Sequence, residues 1–292
     1  MNSILGYITW TVSPVAFSLG SLQVRWYGIL LALGFVLAYI TLQQVWKLEK
    51  LNPKTLDKFA IWTIVWCVVG LRLCHCLVYD NDYYLTGEHW KEIFLPIDAE
   101  GHFVGYAGLA SHGGAIAMLL WLIYFCYTRK MNFFWLIDRL CLVIPIAAAF
   151  VRCGNLMNHE IVGSITQVPW AFDFTDGGFG IAGTYRHPAQ LYESLVYLTL
   201  FVSLVVYYFK CAKGNVAPGR IAGVMLTTIF VARFLIVFVK EDQVAKEAGM
   251  SINIGQQLSI PFILLGVGLL VYSFIKKDQI PHYVEKSATT KK

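Results

Sequence analysis

Charge is scarce in this sequence. Asp, Glu, Lys and Arg make up 14% of its 292 residues, where ordinary soluble domains carry about a quarter. An ordinary water-facing surface is thereby excluded. No sustained basic run occurs before the tail, so the net charge of +5 reflects membrane topology rather than a nucleic-acid partner. Paired CxxC spacing is also missing. The seven cysteines lie mostly inside or beside apolar segments and read as small buried hydrophobes, with no disulfide framework implied. Residues 1–24 carry no charge and lack the basic segment and small-residue cleavage site of a secretory signal, so nothing here looks cleaved. An internal repeat of the kind many transporters show is not evident either.

What fills the space is hydrophobic sequence: 57% of residues, with a mean hydropathy of +0.59. Apolar stretches recur from Tyr27 to Phe274 with no large soluble block between them, which predicts a single integral-membrane domain over 1–292. The expected fold is all-α and polytopic with about seven transmembrane helices, near 27–45, 59–79, 112–127, 134–151, 188–209, 221–239 and 258–275. Residues 1–26 read as an interfacial arm with a short hairpin around Gly20-Ser21, an additional span being the alternative. Residues 80–111 form an acidic outer loop, 164–187 a glycine-rich outer loop or cap, and 278–292 a cytoplasmic tail.

Lysine and arginine set the orientation. Lys47, Lys50, Lys54, Lys58, Arg129, Lys130, Lys210 and Lys213 lie on one side with the tail lysines, against a sparser set, including Arg25, Lys91 and Lys240, on the other. The richer side marks the cytoplasm, leaving the N-terminus outside and the C-terminus inside. His112, residues 152–163, Arg186-His187 and Gln256 then all fall at the outer face.

The densest polar cluster is Arg152-Cys153-Gly154-Asn155-Leu156-Met157-Asn158-His159-Glu160-Ile161-Val162-Gly163, which begins where the fourth apolar helix is expected to end. In lipid such groups are costly unless partnered, so their clustering points to a site. Arg152 alone would be a snorkelling anchor, but Gly154 and Gly163 permit tight turns while Asn155, Asn158 and Glu160 can fix a guanidinium or bind a headgroup. Arg233, about six residues inside the sixth span, calls for an anionic partner, and phospholipid phosphate is the abundant anion at that depth. Arg72 is explained as well by a structural pairing with Asp138 or a carbonyl. His112 before Gly113-Gly114 is either an interfacial histidine in a helical turn or a group titrating near neutral pH. Cys74-His75-Cys76 would point its cysteines roughly 200° apart on a helix, which favours packing over metal binding.

Arg152-x-Gly-Asn-x-x-Asn-x-Glu-x-x-Gly163 resembles the signature of the bacterial phosphatidylglycerol:prolipoprotein diacylglyceryl transferases. Trp26-Tyr27-Gly28, His112-Gly113-Gly114, Arg186-His187-Pro188-Ala189-Gln190-Leu191-Tyr192-Glu193, Arg233 and Gly255-Gln256 agree with that family's motifs in order and spacing. The resemblance implies a bacterial inner-membrane enzyme, active toward the outer face, that moves a diacylglyceryl group from phosphatidylglycerol to the lipobox cysteine of a prolipoprotein signal peptide. It implies catalytic roles for Tyr27, His112, Arg152, Glu160 and Arg233, substrate-binding roles for Asn155, Asn158, Gly163, Gly113, Gly114, Arg186 and Gln256, and no metal or organic cofactor. The competing classes are an anion or lipid transporter and a noncatalytic lipid-binding protein. Two departures stand out. Val237 occupies the place of a common family glutamate, ahead of Lys240-Glu241-Asp242-Gln243 where the family has Arg-x-Pro-Asp. Ala117 replaces a glycine that ends the His-Gly-Gly motif.

Overall fold

The computed structural model describes residues 7–20, 22–85, 89–95, 110–175, 184–241 and 252–276. The acidic Glu88, Asp98 and Glu100, the cap residues Asp176, Gly177, Gly178, Gly180 and Gly183, and Asp242-Gln243, Lys246 and the tail lie outside these. The chain divides into two compact units, Met1–Glu49 with Ile137–Ile280, and Lys50–Leu136 with Pro281–Lys292.

In the first unit the N-terminal arm carries β1 (Ile8–Thr9) and an antiparallel hairpin of β2 (Val15–Leu19) and β3 (Leu22–Arg25). The hairpin turns at Gly20, whose φ of 61° suits glycine. Helix α1 (Trp26–Leu48) follows at once. Helix α5 (Phe133–Met157) is longer than expected. It does not stop at Val151 but carries Arg152 to Met157 as its last turns, because partners on neighbouring elements satisfy those polar side chains. Strand β4 (Phe172–Asp173) pairs parallel with β1 and antiparallel with β5 (Tyr185–Arg186). Helix α6 (Ala189–Val206) widens into a π turn at Tyr207–Cys211, α7 (Arg220–Ile236) tightens into a 3₁₀ turn at Val237–Val239, and α8 (Ile254–Ile275) closes the described chain.

Small residues let these helices touch. On α1, Gly34 lies against Phe150 and Ala147 of α5; a Cβ there would meet Phe150 Cβ at 2.9 Å. Gly223 of α7 and Gly266 of α8 cross backbone to backbone, with Thr227 one turn on from Gly223, the close approach that lipid-embedded helices use when no hydrophobic effect separates them from solvent. At the same N-terminal end of α7, Asp138 accepts from the Gly219 N–H (2.7 Å) and the Ala222 N–H (2.9 Å), satisfying two orphan donors of a helix start. Buried Arg139 donates to Glu49 at 2.8 Å, and the Tyr208 hydroxyl donates to the same carboxylate.

The second unit holds α2 (Pro53–Cys74), which starts with Asn52 accepting from the Lys54 N–H and Pro53 in the first turn. A π turn, His75–Tyr79, continues it. Helix α3 (Asn81–Leu85) and a 3₁₀ turn (His89–Ile93) break up what the sequence suggested as plain loop. Helix α4 (Ser111–Arg129) packs along α2. Arg72 is buried and donates to the carbonyls of Glu92 (2.6 Å) and Ile93 (3.4 Å), with its guanidinium over the Tyr84 ring; of the two partners the sequence allowed, it takes carbonyls.

Among the described residues, six helices are long and apolar enough to cross a membrane: Trp26–Leu48, Pro53–Tyr79, Phe133–Met157, Ala189–Cys211, Arg220–Val239 and Ile254–Ile275. They leave large apolar side chains such as Phe35, Ile61, Leu195 and Leu264 exposed, as lipid-facing helices do. Helix α4, expected as the third span, is not among the six. Its first turn is the polar Ser-His-Gly-Gly.

Candidate functional site

The first unit gathers cations around one buried carboxylate. Glu193, in the second turn of α6, is fully buried. One of its oxygens lies 2.5 Å from Arg152 Nε of α5, and the other accepts from Lys240 Nζ at 2.7 Å. Burial pushes the Lys240 ammonium down from its ordinary value, and Glu193 opposes that fall. Tyr197, one turn beyond Glu193, hydrogen-bonds Arg152, and both Tyr197 and Lys240 lie within electrostatic reach of Arg233. Arg233 itself is half-buried on α7 and forms no hydrogen bond or ion pair among the described residues. Arg152, Lys240 and Arg233 thus outnumber Glu193 and Glu160.

The signature stretch wraps this cluster. Arg152 donates to Asn155 Oδ1 (3.1 Å), and Asn155 and Asn158 each donate an amide N–H to Glu160 Oε1 (3.0 and 3.1 Å). Asn155 sits three residues from Arg152 and so shares its helix face. The turn after α5 is not made by glycine. His159 and Ile161 take it, at φ of 55° and 61°, and for a β-branched isoleucine that conformation stores strain of a kind found at functional sites. His159 is buried, with Nε2 at 2.7 Å from the Val12 carbonyl, so the N-terminal arm is fastened to the stretch that carries Asn158 and Glu160. Gly154 is helical rather than a turn residue: a Cβ there would strike the Tyr27 ring at 2.7 Å, and its absence makes room for half-buried Tyr27 of α1.

Other expected site residues stitch elements together. Gly163 donates to the His187 carbonyl (2.9 Å), and a Cβ there would meet His187 and the Val239 carbonyl within 2.6 Å. Arg186 donates to the Gly163 carbonyl (3.1 Å) and pairs with Glu241 at 2.5 Å. Gln256 is the third residue of a capping box with Asn253 and donates to the Phe234 carbonyl at 3.3 Å, tying α8 to α7 beside Arg233. Trp170 donates its indole N–H to the Tyr192 hydroxyl (2.8 Å), which lies 3.0 Å from His187 Nδ1. Burial lowers the His187 pKa from its ordinary value.

In the second unit His112 is exposed in the first turn of α4, with Nδ1 3.3 Å from the Tyr79 hydroxyl. Gly113 and Gly114 have a packing role here: a Cβ on Gly113 would meet Cys74 Cβ at 2.1 Å and the Gly70 carbonyl at 2.2 Å, and one on Gly114 would meet Leu71. Ala117, the departure from the family pattern, faces Gly70.

In the sequence Glu193 stands within a motif without a role of its own, Lys240 reads as an outer-side charge, and Tyr197 carries no signal. A carboxylate in the second turn of an apolar span was the available signal, since such a group must find a cation. Chemically, three cations in a membrane-embedded setting with one bridging carboxylate can receive a phosphate and stabilise charge developing on its oxygens.

Residues 14–272 match the family model described as prolipoprotein diacylglyceryl transferase. Among similar proteins is a phosphatidylglycerol–prolipoprotein diacylglyceryl transferase of Bacteroides fragilis, 38% identical over 282 residues, covering 95% of this chain and 99% of that protein. Proteins of the same name from Tolumonas auensis (39% over 269 residues, 92% and 98%) and Chloroherpeton thalassium (37% over 275 residues, 94% and 97%) are comparably similar.

Proposed function

The chain belongs to the prolipoprotein diacylglyceryl transferase family, and from that premise we propose that it transfers the diacylglyceryl group of phosphatidylglycerol to the lipobox cysteine of prolipoprotein signal peptides. The observation that carries the reading is Arg233, a half-buried guanidinium on an apolar helix without a protein partner among the described residues, beside the Arg152–Glu193–Lys240 cluster. A guanidinium in that setting calls for an anion, and the phosphate of an anionic phospholipid supplies one. The chain acts as one integral-membrane domain of seven spans with α4 counted among them. Its C-terminus is cytoplasmic and its site faces outward in a bacterial inner membrane, as the lysine and arginine asymmetry supports.

In the reaction a thiolate attacks the glycerol carbon that bears the phosphate. The C–O bond to phosphate breaks, a C–S thioether bond forms, and glycerol phosphate leaves with the electron pair. Arg152 and Arg233 stabilise the charge that builds on the departing phosphate oxygens. Asn155 and Asn158 hold Glu160 and the loop, and Tyr27 helps orient the headgroup. A free cysteine thiol, of pKa about 8.5, is mostly protonated at neutral pH, so His112 serves as the general base that takes its proton. Gly113 and Gly114 hold His112 on α4 against α2, while Gly163, Arg186 and Gln256 shape the walls that substrate meets.

Purified protein incubated with phosphatidylglycerol and a lipobox peptide should yield a peptide heavier by one diacylglyceryl group, with glycerol phosphate released in equal amount. Lipid binding without turnover, or vesicle flux without covalent product, from folded protein would overturn the assignment in favour of a binding or transport role.

A further inference from the structure

Helix α2 and helix α4 meet where neither has a side chain to keep them apart. Gly70 faces Gly113 and Ala117 so closely that a Cβ on Gly70 would lie 2.3 Å from Ala117 Cβ and 2.5 Å from the Gly113 carbonyl. The Ala110 N–H, at the start of α4, donates to the Leu71 carbonyl at 3.0 Å. This contact fixes the first turn of α4, and hence His112, against the end of α2. Beyond the crossing α2 does not continue as an α-helix; it widens into the π turn His75–Tyr79, a feature that recurs at functional sites because it redirects side chains. Its last residue, Tyr79, brings its hydroxyl to 3.3 Å from His112 Nδ1.

Two neighbouring titratable residues face other groups. His75 Nε2 lies 3.6 Å from Asp80, and Cys74 turns its Cβ to Gly113. Among the described residues, Tyr79 is the group that reaches the imidazole. The consequence is a matter of tautomer, because the partner of one ring nitrogen decides what the other can do. If Nδ1–H donates to the phenol oxygen, Nε2 keeps its lone pair and can accept a proton. If the phenol donates to Nδ1, Nε2 carries hydrogen and can only donate.

We propose that Tyr79 is the positioning residue for His112, accepting a hydrogen bond from Nδ1–H so that Nε2 is presented to the substrate thiol. This rests on the reading of His112 as general base. The same hydrogen bond is retained once the ring has taken the thiol proton, since the imidazolium still donates from Nδ1, so no reorganisation accompanies the transfer. The arrangement is a nucleophile–base–orienting-group relay in which the substrate provides the nucleophile and a phenol stands where a carboxylate often does.

The test uses the full chain in phosphatidylglycerol nanodiscs and two lipobox peptides, one with cysteine and one with selenocysteine, whose selenol is already ionised at neutral pH. Tyr79→Phe should lower kcat with the cysteine peptide by roughly tenfold or more, within the range that general-base effects span, and leave KM for phosphatidylglycerol unchanged. With the selenocysteine peptide it should come back to within about twofold of wild type, as should His112→Gln, because an ionised nucleophile needs no base. Equal slowing of Tyr79→Phe with both peptides would make Tyr79 merely structural and overturn the proposal. Full activity of Tyr79→Phe beside a His112→Gln that selenium rescues would overturn it while leaving the base in place, whereas a His112→Gln that selenium does not rescue would remove the base as well. Nitrogen-15 spectra of the neutral ring, assigned by difference against His112→Gln, should report the Nδ1–H form; the Nε2–H form would contradict the proposal.

Discussion

Glu193 bridges two cations of the first unit. Fully buried, it holds Arg152 with one oxygen and Lys240 with the other. Removing one member of a buried ion pair leaves the remaining charge desolvated and uncompensated, at a cost of about 3–5 kcal/mol. Glu193→Gln is therefore expected to lower the thermal unfolding midpoint of the purified protein clearly, whereas Glu241→Gln, which loosens the half-exposed end of the pair with Arg186, should cost much less. Equal midpoints for the two variants would mean that Glu193 is not the anchor of the cluster. The residue scale is also where the sequence was least legible. Arg152, Asn155, Asn158, Glu160 and Arg233 stood out because polar groups are rare in this chain. Lys240 did not, since a lysine just past an apolar span reads as an interfacial charge until a buried carboxylate is found facing it. Gly154 and Gly163 stood out for the wrong reason, as turn formers, when their missing side chains make room for Tyr27 and for His187 and Val239.

At the scale of elements, apolar run length located the helices well and their ends poorly. Helix α5 continues through Arg152 because Glu193 and Asn155 satisfy the arginine, a tertiary fact that hydropathy does not carry. The π turns at His75–Tyr79 and Tyr207–Cys211 and the two-residue strands β1, β4 and β5 leave no periodic signature long enough to read. Where helices cross, glycine decides the spacing. Gly70→Ala inserts a methyl group 2.3 Å from Ala117 Cβ, with backbone close behind, and should destabilise the protein by about 1–3 kcal/mol, the usual cost of overpacking. Gly268→Ala on α8, where a Cβ meets nothing within 4 Å, should be neutral or stabilising by up to about 1 kcal/mol through helix propensity. Thermal unfolding of the two variants side by side checks the contrast, and a Gly70→Ala protein as stable as wild type would show that the α2–α4 crossing is looser than described.

For the whole molecule, scarcity of charge and recurrent apolar stretches were enough to announce a polytopic membrane protein, and the twelve-residue signature was enough to announce the family. What the totals could not supply was which groups surround the arginines, with Val237 standing where the family commonly has a glutamate. Among the described residues, Glu193 is held between Arg152 and Lys240, and Arg233 forms no hydrogen bond or ion pair. The central claim is that Arg152 and Arg233 act on one departing phosphate. Single-turnover rates of peptide modification by wild type, Arg152→Ala, Arg233→Ala and the double variant test it most directly. Each single change should slow the chemical step by roughly 10²–10³-fold, and the double variant should lose far less than the product of the two, as groups that act as a unit do. An unchanged rate in either folded single variant, or losses that multiply fully, would contradict the account.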